Sequence, residues 1–250
     1  MAKIWALADP HLSLMRKKPM DIFGDNWRDH DEQIAENWRA VVAAEDSVIM
    51  PGDISWAMTL RDAWPDLVFL DALPGTKYIG RGNHDYWWTS LSRMESEARE
   101  RGLKSLRFLR NNAYVLPLGT EGRCWLAGSR GWLLPGDSEF GENDAKIWAR
   151  ELIRLELSLQ EVKREPGEPL ICALHFPPAS ARAPENELTA LLQRYAVDIC
   201  IYGHLHGKAG VDRAPSGFQN GIRYINVAAD QIDFCPLDLN PGNVVSLPEV

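Results

Sequence analysis

Five short polar clusters, four of them placed directly after an apolar, strand-like run, constrain this chain's folding more than any other feature of its sequence. Asp9-Pro10-His11 follows Ile4 to Ala8, and Gly52-Asp53 follows Val48 to Met50. Gly82-Asn83-His84-Asp85 follows the brief Tyr78-Ile79, His175 follows Leu170 to Leu174, and Gly203-His204-Leu205-His206 follows Val197 to Tyr202. Five of the six histidines fall inside these clusters. In α/β folds, loops at the carboxyl ends of strands meet in one crevice, so sequence-distant clusters of this kind can share a site.

The intervening segments suit such a fold. Ile34, Trp38, Val41 and Val42 fall on one helical face, as do Trp148, Leu152, Leu155 and Leu159, and Leu188, Leu191, Leu192 and Tyr195. Gly102 and Gly167 mark candidate helix ends. Strands alternate with helices in the amino-terminal third, whereas Lys104 to Ala127 reads as successive strands, a combination that predicts an α/β sandwich. With no internal repeat and no Pro/Gly/Ser linker, residues 1–250 are expected to form a single domain. The polar stretch 12–28, with its core from Ser13 to Arg28, is expected to be a substrate-contacting lid loop.

Charge narrows the partners. A formal net charge of -8 disfavours an extended nucleic-acid or anionic-membrane surface, although Arg16-Lys17-Lys18 could meet a single phosphate. Cys124, Cys172, Cys200 and Cys235 form no Cys-x-x-Cys pair and read as reduced thiols, three of them in buried strands. The amino terminus enters Lys3-Ile4-Trp5-Ala6-Leu7 directly, and no apolar run approaches membrane-spanning length, so a soluble cytoplasmic protein with no membrane partner is expected.

Imidazole and carboxylate hold borderline and hard divalent cations. Asp9, His11, Asp53, Asn83, His175, His204 and His206 make seven candidate ligands, too many for one ion and suited to two that share a bridging carboxylate, assigned to Asp53. In an extended segment residues i and i+2 point the same way, and Pro10 biases Asp9 toward extended dihedrals, so Asp9 with His11 and His204 with His206 are expected to project in pairs. Two carboxylates against two divalent ions leave roughly two positive charges uncompensated, which lets an acidic protein hold a phosphate dianion.

The ordered set Asp-x-His, Gly-Asp, Gly-Asn-His-Asp, His and Gly-His-x-His, spanning residues 9 to 206, resembles the calcineurin-like metallophosphoesterase superfamily. The resemblance implies a four-layered α/β/β/α sandwich with mixed sheets. It implies Asp9, His11, Asp53 and His206 on one divalent ion, and Asp53, Asn83, His175 and His204 on the other. It further implies hydrolysis of a phosphomonoester or phosphodiester by water activated between the two ions, Mn²⁺ or Fe in preference and Zn²⁺ as an alternative. His84, the histidine left over from the ligand set, is implied to protonate the leaving oxygen, with Asp85 or another carboxylate orienting it. After Gly52-Asp53 the chain reads Ile54-Ser55-Trp56-Ala57-Met58 in place of the further acid or the Asp-Arg-Gly of many relatives, which argues against a phosphoprotein phosphatase. The sequences around Asp53 and Asn83 resemble a bacterial group of predicted phosphohydrolases instead.

Other residues have two readings each. Arg81 and Arg130 flank strand ends and could bind substrate phosphate through a guanidinium fork, or serve in structural pairs. His30 lies outside every cluster and reads as a hydrogen-bonded structural residue. Trp56, Trp87, Trp88 and Trp132 suit core packing or a water-excluding rim, with stacking on a nucleobase as the alternative. The expected substrate is a small or nucleotide-like phosphate ester. A nucleic-acid-processing nuclease and a non-catalytic binding module with the same fold are the rival functions.

Overall fold

The computed structural model describes residues 1–15, 18–120, 122–207 and 214–241. Arg16 and Lys17 of the basic cluster lie outside the described residues. In chain order the strands are β1 (Ile4–Ala6), β2 (Ser47–Met50), β3 (Thr76–Ile79), β4 (Leu106–Phe108), β5 (Tyr114–Leu118), β6 (Gly122–Ser129), β7 (Leu170–Leu174), β8 (Ile199–Tyr202), β9 (Gly217–Gln219), β10 (Ile222–Asn226) and β11 (Leu237–Asp238). The helices are α1 (His30–Val41), α2 (Leu60–Asp71), α3 (Leu91–Glu100), α4 (Glu142–Gln160) and α5 (Glu187–Arg194).

Two mixed sheets result. The first has the order β11-β1-β2-β3-β4, and the second β5-β6-β7-β8-β10-β9. β1 to β4 run parallel with β11 antiparallel at the edge. In the second sheet β6, β7, β8 and β10 run parallel, flanked by antiparallel β5 and β9.

Side-chain alternation along each strand sets the layers, because successive residues point to opposite faces. Trp5, Val48 and Met50 face α1, α2 and α3 in one core, while Ile4, Ala6 and Ile49 face the other sheet. From the second sheet Leu126, Ile171, Ala173, Ile199 and Ile201 meet them, and Ala127, Cys172, Leu174, Cys200 and Tyr202 face α4 and α5. Three apolar cores between four layers define the α/β/β/α sandwich. Both faces of the central strands are covered, which is why they read as continuous apolar runs rather than as alternating ones.

The three helices singled out by periodicity are present, and so are β4, β5 and β6 across the segment without a helix. α2 and α3 are additional, each begun by a side-chain cap that frees the first turn from unpaired donors: Thr59 accepts from Asp62, and Ser90 from Arg93. Gly102, at φ +74°, follows the end of α3 as expected. Gly167 does not end a helix. α4 stops at Gln160, and Gly167 lies in the turn closed by Glu168 N–H on the Glu165 carbonyl. Cys124, Cys172 and Cys200 are buried free thiols in β6, β7 and β8. Among the described residues no helix is long and apolar enough to cross a membrane.

Among the described residues of stretch 12–28, two large side chains are packed inward. Met20 and Trp27 are buried in the first core, and two short 3-10 turns, Asp21–Phe23 and Asp25–Trp27, shape the chain between them. Trp27 is inserted beside His30, Phe234 and His206 and anchors this end of the segment.

Asp46 ties the start of the first sheet together. Its buried carboxylate accepts from Lys3 N–H (2.8 Å), Ala43 N–H (2.9 Å) and the Trp5 indole (2.8 Å). Asp46→Ala orphans all three donors, each at about 1–3 kcal/mol, and should cost about 2–4 kcal/mol after partial rehydration. Urea unfolding measures it; a loss under about 0.5 kcal/mol, the range of ordinary surface substitutions, would show that the knot is dispensable.

Candidate metal centre

The carboxyl ends of β1, β2, β3, β7 and β8 meet, and with them all five clusters. His175 Nε2 lies 2.6 Å from Asn83 Oδ1 and 3.5 Å from Asp53 Oδ2, and His204 Nδ1 lies 3.0 Å from the same Asn83 oxygen. On the other side His11 Nε2 is 3.4 Å from His206 Nε2 and 3.8 Å from Asp53 Oδ2. His175 Nδ1 is 3.6 Å from Asp9 Oδ1. Two groups have ligand atoms within 4.8 Å of one another, Asp9 with His11 and His206, and Asp9 with Asp53 and His175. Asp9 takes part in both, so proximity alone gives it as central a place as the expected bridge Asp53.

The pairs project by a different device from the extended one expected. Asp9 (φ +55°), His11 (φ +45°), Asp53 (φ +51°) and His204 (φ +70°) all adopt left-handed backbone. Such conformations cost on the order of 1 kcal/mol or more each and persist where the surroundings over-determine them. Here cross-loop hydrogen bonds do so: Asp9 N–H to the Gly52 carbonyl, His11 N–H to that of Asp53, and Leu12 N–H to that of Ile54. These bonds outweigh the extended bias of a residue preceding proline.

Glycines let the loops close. A Cβ on Gly82 would lie 2.0 Å from Asp53 Oδ1, and one on Gly203 would lie 2.2 Å from Asp9 Oδ2. Backbone N–H groups take the places that these side chains would block: His84 donates to Asp53 Oδ1 (2.8 Å), and His204 donates to Asp9 Oδ2 (2.9 Å).

The donor set fits a cation. Asp9 Oδ1, His11 Nδ1 and His175 Nδ1 are buried without a partner among the described residues. Burial pushes the Asp9 carboxyl up to about 7, against the opposing His206 charge. Burial, together with the Asp9 and Asp85 charges, pushes Asp53 up to about 9. Burial likewise drives His11 and His175 well below their ordinary value, and His204 down to about 4. Neutral imidazoles with free lone pairs are the form that ligates, and carboxylates short of positive charge are what a divalent ion stabilises.

Asp230 was not foreseen. It accepts from His206 Nδ1 (2.7 Å) and Gly207 N–H (3.0 Å), which fixes the tautomer and leaves Nε2 facing His11. Burial opposes protonation of His206, but the Asp230 hydrogen bond and the Asp9 and Asp230 charges outweigh it and raise its pKa. The one sequence signal was an acid just beyond the apolar run of β10. His30 is the hydrogen-bonded structural residue expected, its ring meeting the carbonyls of Trp27 and His11.

Asp85 joins two loops. Its buried carboxylate accepts from Ile54 N–H (2.9 Å), Ser55 N–H (3.2 Å), Gly82 N–H (2.7 Å) and the Trp87 indole (2.8 Å), which ties the Asp53 loop to the Asn83 loop. His84 is half-buried at the rim, its ring 4.4 Å from Trp56 and 5.8 Å from His11. Burial, then the Lys18 and His206 charges, lowers its pKa. Trp56 stacks on His11 at 4.8 Å, whereas Trp87 and Trp88 are core residues. Arg81 and Arg130 line one small cavity beside the centre, and Arg130 lies 3.5 Å from Glu151 with its guanidinium over Trp132.

Paired histidines and carboxylates in a cleft at strand carboxyl ends form a set able to hold divalent cations. The chain belongs to the calcineurin-like phosphoesterase family, whose sequence model matches residues 2–208. A phosphopantetheinyl hydrolase from Mycobacterium tuberculosis shares the fold at TM-score 0.53 and 15% identity, over 91% of this chain and 89% of that one. A protein of unknown function from Aquifex aeolicus does so at TM-score 0.51 and 17% identity, over 98% and 100%. The Gene 66 protein of Mycobacterium phage L5 is 32% identical over 85 residues, 34% of this chain and 41% of that relative's length.

Asp85→Ala should release both loops, lowering stability by on the order of 3–5 kcal/mol for four orphaned donors and lowering metal content with it. Thermal unfolding and elemental analysis test this. Unchanged stability and metal content, with only turnover reduced, would return Asp85 to the role of orienting His84.

Proposed function

We propose that this protein is a dinuclear-metal-dependent phosphoesterase that hydrolyses a small phosphomonoester or phosphodiester. The observation that carries the reading is the convergence of all seven candidate ligand side chains, two of them buried carboxylates short of positive charge. Asp9, His11, Asp53 and His206 would hold one divalent ion, and Asp53, Asn83, His175 and His204 the other, with Mn²⁺, Fe and Zn²⁺ all compatible with a mixed N/O set. When bound, such a pair polarises phosphoryl oxygens and lowers the pKa of water.

The chain's own residues supply the rest. Asp230 holds His206, and His30 with Trp56 holds His11 in place. His84 at the rim is the group that delivers a proton to the leaving oxygen. A phosphate dianion arriving beside it offsets the burial and cationic neighbours that lower its pKa.

A small substrate is favoured by a cavity of about 450 Å³ next to His204, lined by Trp132, Leu134, Phe176, Ala179 and Arg182. That volume matches sites for small molecules, roughly 300–1,000 Å³, and its lining suits an organic group better than a charged polymer.

His84→Ala should lower turnover of p-nitrophenyl phosphate or bis-p-nitrophenyl phosphate by about 10²- to 10⁴-fold with metal content intact. Retained wild-type turnover would remove His84 from proton delivery. Asp53→Asn should lose metal and activity together, and a variant that keeps both ions would contradict the bridging role.

A further inference from the structure

Beside the metal centre, four arginines surround one carboxylate. Arg81, Arg110, Arg130 and Arg154 line a cavity of about 40 Å³ together with Glu151. Arg81 comes from the loop after β3, Arg110 from the turn after β4, Arg130 from the end of β6, and Arg154 and Glu151 from α4. Like charges do not gather in a half-dry pocket without a counter-charge, and Glu151 alone is too little. Its Oε1 takes Arg154 Nη1 at 2.7 Å and Arg130 Nη2 at 3.5 Å. Arg110 is turned to the Thr89 carbonyl at 2.9 Å.

Unsatisfied atoms remain, of both kinds. The Nε donors of Arg81 and Arg130 are buried and have no partner among the described residues, and the Arg130 side chain is only 10% exposed. Glu151 Oε2 is buried without a donor. A ligand that satisfied these atoms would accept from several guanidinium groups and donate one proton to a carboxylate. One water needs about 10–15 Å³, so the cavity holds about three waters or one small tetrahedral oxyanion, and excludes a nucleobase or sugar.

We propose that this pocket is a binding site for a hydrogen phosphate group, distinct from the metal centre. Three of its oxygens accept from the arginines, and its one O–H donates to Glu151 Oε2. Sulfate has the same shape but no proton to give, and would set an acceptor against a buried carboxylate. The pocket also borders the chemistry: the Arg130 carbonyl accepts the His175 and Phe176 N–H groups, and its charge reaches Asp53.

The phosphate has two sources, free inorganic phosphate or the phosphate group of a larger ester. Only the assignment of source rests on the phosphoesterase reading. The pocket itself does not.

Calorimetric titration of the full-length chain, first loaded with metal and then stripped by a chelator, tests the site. One equivalent of inorganic phosphate should still bind after stripping, at least about tenfold more tightly than sulfate, which corresponds to about 1.4 kcal/mol. Arg154→Gln and Arg110→Gln should each weaken that binding by about tenfold or more. Glu151→Gln should tighten sulfate and erase the discrimination, a gain that damage to the fold would not produce. If Arg154→Gln fails to fold, as judged by circular dichroism, the other two variants carry the test. Phenyl phosphate that competes for the stripped site, with its own affinity lowered in Arg110→Gln, assigns the source to an ester; binding of inorganic phosphate alone assigns it to the free ion. A stripped wild-type chain that binds neither phosphate nor phenyl phosphate, or binds sulfate equally well with no response to Glu151→Gln, overturns the proposal. Because these readouts involve no turnover, hydrolytic inactivity of the loaded protein would count against the proposed function and leave the pocket standing.

Discussion

Two carboxylates, Asp9 and Asp53, are buried side by side where the two sheets open, and the rest of the site follows from the cost of keeping them there. Desolvating an ion is expensive unless it is paired or ligates a cation. The chain offers each of them one backbone N–H, from His204 and His84, and otherwise surrounds them with imidazoles that burial holds neutral. Neither arrangement neutralises the pair, and divalent cations, the ions that the family implies, would do so.

Holding such a cluster open requires a rigid frame, and the frame consists of hydrogen bonds between loops rather than within them. Asp85 gathers four donors from two loops, and Asp230 fixes His206 from beyond the second sheet. Left-handed backbone at Asp9, His11, Asp53 and His204 is the strain that this frame stores. Gly82 and Gly203 are where the loops come too close for any side chain.

Charge is arranged on both sides of the centre. On one side lies the wider cavity by His204, with Asp137, Glu139 and Arg182 among its lining residues, and on the other the narrow arginine pocket around Glu151. An acidic protein thus concentrates positive charge locally, and bulk net charge says little about what its cleft attracts.

The layers, and the grouping of the candidate ligands at strand ends, were legible in the sequence because both rest on local signals. Apolar runs buried on two faces announce the central strands, and polar residues at their ends announce where a crevice gathers. Residue type and position after an apolar run sufficed for Asp9, His11, Asp53, Asn83, His175, His204 and His206 to be singled out as candidate ligands. The conformation of Asp9, the partners of Asp85, the grip of Asp230 on His206 and the meeting of Arg110 and Arg154 with Arg81 and Arg130 depended on residues up to 73 positions apart, the separation of Arg81 and Arg154. Hydrogen-bond geometry and the space left between packed loops decide those contacts, and neither has a period or a motif that a linear chain can display.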